Sequence, residues 1–474
     1  MREFLKAEYR QPIEVIYFIG IGGSSLSGLA EMAIGQGFRV EGSDINESDY
    51  TRKLQKLGAL VHKGHHSNQI HTGIGLVVYS AAIHEDNPER QQAKILGIPQ
   101  VERSHYLGLL SKVFPQTIGV AGTHGKTTTS SMIGTVMLQA GYDPSISIGS
   151  RIDALKSNAR LGESDYFIVE SCEYVDSFLE TQHQVAIITN IEAEHLDYFT
   201  EGLPQIQASF KKFASIVPES GLIIAWGDSQ DVLDAIQGIT TPIWTYGFDK
   251  KNKWRADGII FDDQGNPKFN AYKDNQLYGS FTLKVPGNYN ILNALACIAC
   301  CDYYKVPLAS IQNSLKDFGG AKRRFQFCGE ANGVNIYEDY AHHPTELKVV
   351  IEACRNHKHR KLWVVFQPYI YSRTYYLLDG FVDSLAQADF LILNDISSDR
   401  EENKWDIYSE DIAKRIKAKY QTPTVVFSKF DTIVKFLADN VEEGDLVLVA
   451  GAYNINQVAY RLVEVLKEKE TKGE

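Results

Sequence analysis

Gly122, Gly125, Lys126 and Thr127 have the types and the spacing of a phosphate-binding loop. The apolar run 118–121 before them predicts a buried strand, and the stretch after them predicts an amphipathic helix. Glycines let backbone N–H groups close on phosphate oxygens, and a helix N-terminus adds positive potential there. A lysine in this place reaches the terminal phosphates, and a threonine hydroxyl ligates Mg²⁺. The segment therefore predicts a nucleoside triphosphate site that uses Mg²⁺.

Two further strands are predicted to carry polar side chains to the same edge of a sheet. The apolar stretch within 165–173 ends at Glu170, and the next apolar stretch leads to Asn190 and His195. Parallel sheets bind ligands at the carboxyl ends of their strands. An acidic side chain beside a phosphate-binding loop is a usual metal ligand. We therefore expect these residues to lie near Lys126.

A second phosphate-binding pattern lies near the amino terminus. The segment 15–37 is typical of a strand, a glycine turn and a helix, and 39–44 predicts a second strand with an acidic end. Such a βαβ unit holds a pyrophosphate in its turn and a ribose hydroxyl on its acid. The pattern indicates the diphosphate of a nucleotide without specifying which one. The residues concerned are Gly20, Gly22, Gly23, Ser24, Ser25 and Asp44.

Polar residues in the last third of the chain predict a pocket for a small anion and an amine. The ends of predicted strands bring together Asp339, His342, His343 and Arg373. Arginine binds carboxylates in a bidentate manner, and histidine exchanges protons near neutral pH.

The composition is that of a globular protein, and 474 residues correspond to about three domains. A net charge of −11 with no basic block argues against a nucleic-acid partner. No apolar run approaches the roughly 18 residues of a membrane span, so no membrane contact is expected. The charged start lacks the apolar core of a signal peptide, so the expected location is the cytoplasm. Cys297, Cys300 and Cys301 fall in an apolar, helix-like run and are interpreted as buried structural residues.

The repeated alternation of strand and helix predicts an α/β fold of three domains. We expect a Rossmann-like domain over 1–112 and a Rossmann-like α/β domain over 326–474. Between them, 113–325 is predicted to form a central phosphate-loop ATPase domain with a mostly parallel sheet. Turn signals between 222 and 284 indicate a β-rich excursion within it.

Five motifs, in order along the chain, resemble those of the Mur ligases, the ATP-dependent amide-bond ligases of bacterial cell-wall precursor synthesis. The motifs are Gly122-Thr-His-Gly-Lys-Thr-Thr-Thr129, Thr189-Asn-Ile-Glu-Ala-Glu-His195, Pro286-Gly-Asn-Tyr-Asn-Ile-Leu-Asn-Ala294, Arg323-Arg-Phe325 and Asp339-Tyr-Ala-His-His-Pro344.

The resemblance implies an enzyme that uses ATP to join L-alanine to the lactyl carboxylate of UDP-N-acetylmuramate through an acyl phosphate. The first domain would bind the sugar nucleotide, the second ATP with Mg²⁺, and the third would bring the amino acid. The implied role is cytoplasmic peptidoglycan synthesis, and with it cell-wall biogenesis, cell shape and the cell division cycle. A monomer or a homodimer is expected.

Roles carried over from the resemblance concern the ATP, metal and amine sites. Thr127 and Glu170 would hold one Mg²⁺, Glu170 and His195 a second, and Asn293 would contact adenine. Separately from the resemblance, the protonated amine of an amino acid calls for a base, for which His342 or His343 is the candidate. The implied catalytic residues are Lys126, Glu170, His195, His342, His343 and Arg373. The implied ATP-binding residues are Gly122, Thr123, His124, Gly125, Lys126, Thr127, Thr128, Asn293, Arg324 and Asp339.

Several alternatives stay open. Tyr369 and Ile370 replace the usual histidine and the usual arginine or threonine near the incoming amino acid, so its identity stays open among L-alanine, glycine and L-serine. The segment Gln367-Pro…Ser-Arg-Thr374 favours L-alanine over a recycling ligase that attaches a preformed tripeptide. A catalytically altered, nucleotide-binding partner is a third reading. An NAD-linked oxidoreductase built on the amino-terminal turn would leave the phosphate loop unexplained.

Overall fold

The computed structural model describes residues 1–152, 157–398 and 401–472, which contain three β-sheets. The chain forms two compact units. The first unit contains the described residues of Met1–Asp257 together with Asn270–Gly279 and Leu292–Leu315. The second unit contains Gly258–Phe269, Ser280–Ile291 and the described residues from Lys316 onward. The predicted domain boundaries after residues 112 and 325 stay predictions.

The amino-terminal sheet is parallel, with strand order β3-β2-β1-β4-β5. Apolar side chains cover both of its faces, as is usual for a parallel sheet. Its strands are β1 (Val15–Ile19), β2 (Arg39–Asp44), β3 (Leu60–Lys63), β4 (Leu76–Tyr79) and β5 (Gln100–Glu102). The accompanying helices are α1 (Arg2–Tyr9), α2 (Ser24–Gly35), α3 (Asp49–Lys56), α4 (Pro88–Ile95) and α5 (Arg103–Ser111).

The central sheet has strand order β15-β14-β13-β12-β11-β10-β6-β9-β7-β8. Its strands are β6 (Gln116–Ala121), β7 (Ser145–Ile152), β8 (Ser157–Arg160), β9 (Tyr166–Glu170), β10 (Val185–Ile188), β11 (Leu222–Trp226), β12 (Ile243–Gly247), β13 (Trp254–Phe261), β14 (Pro267–Lys273) and β15 (Gln276–Thr282). Its helices are α6 (Lys126–Gln139), α7 (Leu203–Ser215), α8 (Gln230–Ala235), α9 (Asn288–Tyr303) and α10 (Leu308–Asp317). The β-rich excursion predicted between 222 and 284 is confirmed.

Strands β6, β9 and β10 lie side by side and parallel at the centre of this sheet. Their apolar runs are buried, and the polar residues that follow each run lie at the carboxyl edge of the sheet. The sequence predicted that the helix after β6 would be amphipathic, and this prediction is wrong for α6. Its residues Thr127–Met137 are all buried, because small serine, threonine and glycine side chains let it pack closely against β7 and β9.

The amino-terminal and central sheets are joined within the first unit by close packing of α2 against β8. A Cβ added to Gly28 would lie 2.7 Å from the Cβ of Ala159, and one added to Gly35 would lie 2.9 Å from Leu161 Cδ2. Gly28 and Gly35 are two turns apart on one face of α2, and Ala159 of β8 and Leu161 directly after it are two residues apart, so they lie on one side of the extended chain. The two glycines therefore allow this docking.

The carboxyl-terminal sheet belongs to the second unit and has strand order β16-β17-β21-β18-β19-β20. Every pair is parallel except the β16–β17 hairpin. Its strands are β16 (Gln326–Ala331), β17 (Val334–Asp339), β18 (Leu362–Phe366), β19 (Phe390–Leu393), β20 (Thr424–Val426) and β21 (Leu446–Ala450). Its helices are α11 (Pro344–Asn356), α12 (Tyr371–Tyr376), α13 (Leu378–Leu385), α14 (Ser409–Tyr420), α15 (Phe430–Asn440) and α16 (Gln457–Lys472).

Two further predictions concern the burial of three cysteines and membrane-spanning segments. Cys297, Cys300 and Cys301 are fully buried in α9, as predicted. Among the residues that the structure describes, no helix is both long and apolar enough to span a bilayer.

Candidate active site

The phosphate-binding loop connects β6 to α6 and depends on two glycines. Gly122 has φ 141° and Gly125, the N-cap of α6, has φ 82°. A Cβ on Gly122 would lie 2.0 Å from Thr189 Oγ1, and one on Gly125 would lie 2.6 Å from Asn293 Oδ1. Both positions therefore exclude a side chain, and the loop forms a cradle of backbone N–H groups at a helix N-terminus, which fits a phosphate chain.

Residues after β10 hold this loop in place. Asn190 Oδ1 accepts a hydrogen bond from the backbone N–H of His124 at 2.8 Å, and Asn190 Nδ2 donates to the His124 carbonyl at 3.0 Å. Thr189 Oγ1 donates to the same carbonyl at 2.6 Å. The backbone N–H of Glu192 donates to Thr123 Oγ1 at 2.9 Å. The polar residues that follow β10 thus support the loop from beneath.

Lys126 is held by a carboxylate that the sequence analysis left unassigned. Its Nζ lies 2.9 and 3.1 Å from the two carboxylate oxygens of Glu173 and donates to the carbonyls of Gly122 and Thr123. Only 13% of the Lys126 side chain and 3% of the Glu173 side chain are exposed. Burial alone would lower the pKa of Lys126, but attraction to Glu173 outweighs it and raises the pKa above its ordinary value.

Of the three predicted metal ligands, Thr127 and Glu170 contact each other, whereas His195 lies beside Glu173. Thr127 Oγ1 donates to Glu170 Oε1 at 2.9 Å, and the backbone N–H of Gly149 donates to Glu170 Oε2 at 2.7 Å. His195 has φ 56°, and its Nε2 lies 3.9 Å from Glu173 Oε1. The hydroxyl and carboxylate oxygens of Thr127 and Glu170 are the hard ligands that Mg²⁺ prefers, so this donor set fits the ion.

Asn293 reaches the loop from α9, also within the first unit. Its Oδ1 accepts a hydrogen bond from Thr129 Oγ1 at 3.2 Å and lies against Gly125. The predicted contact of Asn293 with adenine stays a prediction.

The amino-terminal glycine turn is braced by Asp44. Asp44 Oδ2 accepts a hydrogen bond from the backbone N–H of Gly22 at 2.8 Å, and Gly20 has φ 82°. Asn158 of β8 donates from Nδ2 to the Ser24 carbonyl at 2.5 Å, and Arg103 Nη1 donates to Ser25 Oγ at 3.3 Å. Two side chains far along the chain therefore contact the turn, and the sequence analysis missed both.

In the second unit, Asp339 lies at the end of β17 in a buried position. It accepts hydrogen bonds from the backbone N–H groups of Phe325 and Ala341, both at 2.6 Å. Burial raises the pKa of Asp339 to about 6, although the Arg324 guanidinium and these hydrogen bonds oppose that rise. Arg324 Nη1 also lies 3.6 Å from Glu346 Oε1.

The two adjacent histidines differ in their surroundings. His342 Nδ1 lies 2.9 Å from the Tyr340 carbonyl oxygen and 3.3 Å from Glu346 Oε2. His343 is the N-cap of α11, and its Nδ1 accepts a hydrogen bond from the backbone N–H of Thr345 at 3.3 Å. The capping contact gives His343 a structural task that His342 does not share.

Arg373 lies in α12 beside the unusual pair Tyr369 and Ile370. It is 7% exposed, and its Nη1 lies 3.4 Å from the Tyr369 carbonyl oxygen. Ile370 is buried with φ 64°, a conformation that is rare for a β-branched residue. Such strain is frequent at ligand sites.

Comparisons with known proteins agree with this arrangement. Three family models match, namely the Mur ligase family catalytic domain over residues 15–115, the Mur ligase middle domain over 120–301 and the Mur ligase glutamate ligase domain over 323–453. A UDP-N-acetylmuramate–L-alanine ligase from Caldanaerobacter subterraneus is 42% identical, covering 96% of this chain and 98% of that protein. The chain belongs to the Mur ligase family.

Further relatives in this family extend over the same length. A UDP-N-acetylmuramate–L-alanine ligase from Agathobacter rectalis is 43% identical, covering 97% of this chain and 99% of that protein. The crystal structure of UDP-N-acetylmuramate-alanine ligase from Thermotoga maritima matches with a TM-score of 0.80 at 25% identity, covering 97% of this chain and 99% of that one. The predicted resemblance and the predicted three-domain α/β architecture are thus confirmed.

Proposed function

We propose that this Mur ligase uses ATP to join L-alanine to the lactyl carboxylate of UDP-N-acetylmuramate, through an acyl phosphate, in peptidoglycan precursor synthesis. The observation that carries the proposal is that Lys126, Thr127, Glu170 and His195 follow three adjacent parallel strands and lie around one glycine cradle. Relatives named for this reaction, similar over almost their whole length, support the choice of substrates.

Activation of the carboxylate explains the need for a phosphate-binding loop. A carboxylate does not condense with an amine, because its carbonyl is a poor electrophile and oxide is a poor leaving group. Attack of a carboxylate oxygen on the γ-phosphorus of ATP releases ADP and gives an acyl phosphate. The amine then attacks the carbonyl carbon, and phosphate leaves with the former carboxylate oxygen.

The first step joins two anions, so the site must supply positive charge. Lys126 would neutralise the terminal phosphates, and the loop N–H groups would orient them for in-line attack. Thr127, Glu170 and His195 would hold Mg²⁺, which, when bound, offsets the repulsion between carboxylate and triphosphate. We assign Arg324, Asp339 and Asn293 to nucleotide binding, and Asp44 with the glycine turn to the sugar nucleotide.

The second step needs a base, because the amine of an amino acid is largely protonated at neutral pH. A carbonyl oxygen only accepts hydrogen bonds, so the contact with Tyr340 puts the hydrogen of a neutral His342 on Nδ1 and leaves Nε2 basic. The opposite holds for His343, whose Nδ1 accepts from Thr345 and whose Nε2 therefore carries the hydrogen. We assign His342 as the base and His343 as a donor and helix cap.

Arg373 is assigned to the carboxylate of the amino acid, whose pocket Tyr369 and Ile370 would limit to a small side chain. We assign the enzyme to the cytoplasm, where ATP is available, as a monomer or a homodimer.

The test is ADP release with UDP-N-acetylmuramate and a panel of L-alanine, glycine, L-serine and the preformed tripeptide. We expect L-alanine to give the highest kcat/KM and Lys126→Ala to abolish turnover. Preference for the tripeptide would identify a recycling ligase, and no turnover with any panel member would favour a non-catalytic partner.

A further inference from the structure

Lys126 uses its N–H donors on groups of the protein itself. A lysine ammonium has three N–H donors. In this structure, Gly122 O, Thr123 O and the Glu173 carboxylate accept from Lys126 Nζ. The cation that must reach the terminal phosphates is therefore already fully bonded to the protein.

Glu173 is well suited to keep that cation. It is 2% exposed, both of its oxygens contact Nζ, and it follows the end of β9 by only three residues. Glu173 Oε1 also lies 3.9 Å from Nε2 of His195, a proposed metal ligand. Movement of Lys126 towards a phosphate would leave this buried carboxylate without its close cationic partner, beside an incoming anion.

We infer that Glu173 is a positioning residue. It holds the ammonium group of Lys126 in the nucleotide-free enzyme and releases it only when a divalent metal ion enters together with the nucleotide. The inference rests on the proposed ATP site. Metal-free nucleotide has to separate Lys126 from Glu173 without bringing a cation to balance the carboxylate. Nucleotide that brings a divalent cation to the neighbouring ligands Glu170 and His195 supplies that balance. Glu173 would thereby disfavour binding of nucleotide without metal.

The experiment measures binding of a non-hydrolysable ATP analogue by calorimetry, in EDTA and in saturating Mg²⁺, without the other substrates. The variant is Glu173→Gln, which keeps the shape and removes the charge. Glu180→Gln is the matched control. Glu180 also lies between β9 and β10, but its Oε2 is 2.9 Å from Nδ1 of His105. Glu173→Asp keeps the charge on a shorter side chain and serves as a second variant.

We expect Glu173→Gln to bind the metal-free analogue roughly 10- to 100-fold more tightly than the wild type, the factor that corresponds to one charge-assisted hydrogen bond. In saturating Mg²⁺ the two proteins should agree within about threefold. Glu180→Gln should match the wild type in both conditions. Glu173→Asp, whose pair with Lys126 is stretched, should show a smaller gain in EDTA.

Suppose that the wild type binds the analogue in Mg²⁺, but Glu173→Gln binds the metal-free analogue no more tightly than the wild type does. This result would overturn the inference and leave the proposed function intact. If Glu173→Gln does not fold, an unchanged metal-free affinity in Glu173→Asp would overturn it instead. A wild-type protein that binds no nucleotide even with Mg²⁺ would overturn both the inference and the proposed function.

Discussion

Replacement of Lys126 by methionine should destabilise the nucleotide-free protein through Glu173, before any question of catalysis arises. Methionine fills a similar volume but leaves a carboxylate that is 2% exposed without its cation. Removal of one partner from a buried ion pair costs about 3–5 kcal/mol. The carbonyls of Gly122 and Thr123 lose a donor in the same substitution. We therefore expect about 3–5 kcal/mol less protection of β6 and α6 against local opening.

Removal of the charge on Glu173 should then rescue the protein. Glu173→Gln alone should cost only about 1–2 kcal/mol, because Lys126 keeps its two carbonyl contacts and is partly exposed. The double variant Lys126→Met/Glu173→Gln should be more stable than Lys126→Met by about 2–3 kcal/mol.

Hydrogen–deuterium exchange of peptides spanning β6 and α6 measures this cycle without requiring the whole chain to unfold in one transition. Each 1.4 kcal/mol is a factor of ten, so Lys126→Met should exchange at least about 100-fold faster than the wild type. The double variant should recover most of that factor. Additive effects of the two substitutions, within about 0.5 kcal/mol, would refute the reasoning that the pair is energetically coupled.

Three further substitutions test separate parts of the site. Glu170→Ala should raise the Mg²⁺ concentration for half-maximal ADP release at least roughly tenfold, and an unchanged Mg²⁺ titration would exclude Glu170 as a ligand. Asp44→Ala should raise the KM for UDP-N-acetylmuramate by roughly 10- to 100-fold while the KM for ATP stays within about twofold; equal increases in both would contradict a role in the sugar-nucleotide site. Gly28→Ala places a Cβ 2.7 Å from that of Ala159 and should cost about 1–3 kcal/mol in urea unfolding, whereas Gly319→Ala, which meets open space, serves as control. If the two glycine variants have the same free energy of unfolding, α2 and β8 can move apart to admit the extra Cβ without loss of stability.

The sequence predicted the elements that position the site because their signals are local. Apolar runs marked β6, β9 and β10, and the polar residues directly after each run fell at one edge of the sheet. Glu170 was expected on this ground to lie beside the phosphate-binding loop, and its carboxylate accepts a hydrogen bond from Thr127 of that loop.

Contacts between distant positions could not be predicted in the same way. Lys126 and Glu173 are 47 residues apart, and Asn158 and Ser24 are 134 apart, so no periodicity links them. A weak signal for Glu173 was present, since it is a second acid three residues beyond Glu170. Before the packing of β9 beside β6 was known, no feature of the sequence favoured Glu173 over Glu170 as the partner of Lys126.

The chemistry of the paired histidines also required coordinates. In the sequence, His342 and His343 are equivalent candidates for a base. Their different partners, the Tyr340 carbonyl and the Thr345 N–H, make Nδ1 a donor in His342 and an acceptor in His343. The orientation of each ring could not be predicted from the sequence.

The most direct test of the reaction follows an oxygen atom. UDP-N-acetylmuramate labelled with ¹⁸O in its lactyl carboxylate is converted with ATP and L-alanine, and the released phosphate is analysed by mass spectrometry. Phosphorylation of the carboxylate predicts one labelled oxygen in each phosphate, because phosphate leaves with the former carboxylate oxygen. Unlabelled phosphate, formed together with the alanyl product, would contradict an acyl phosphate and with it the assigned role of the site around Lys126.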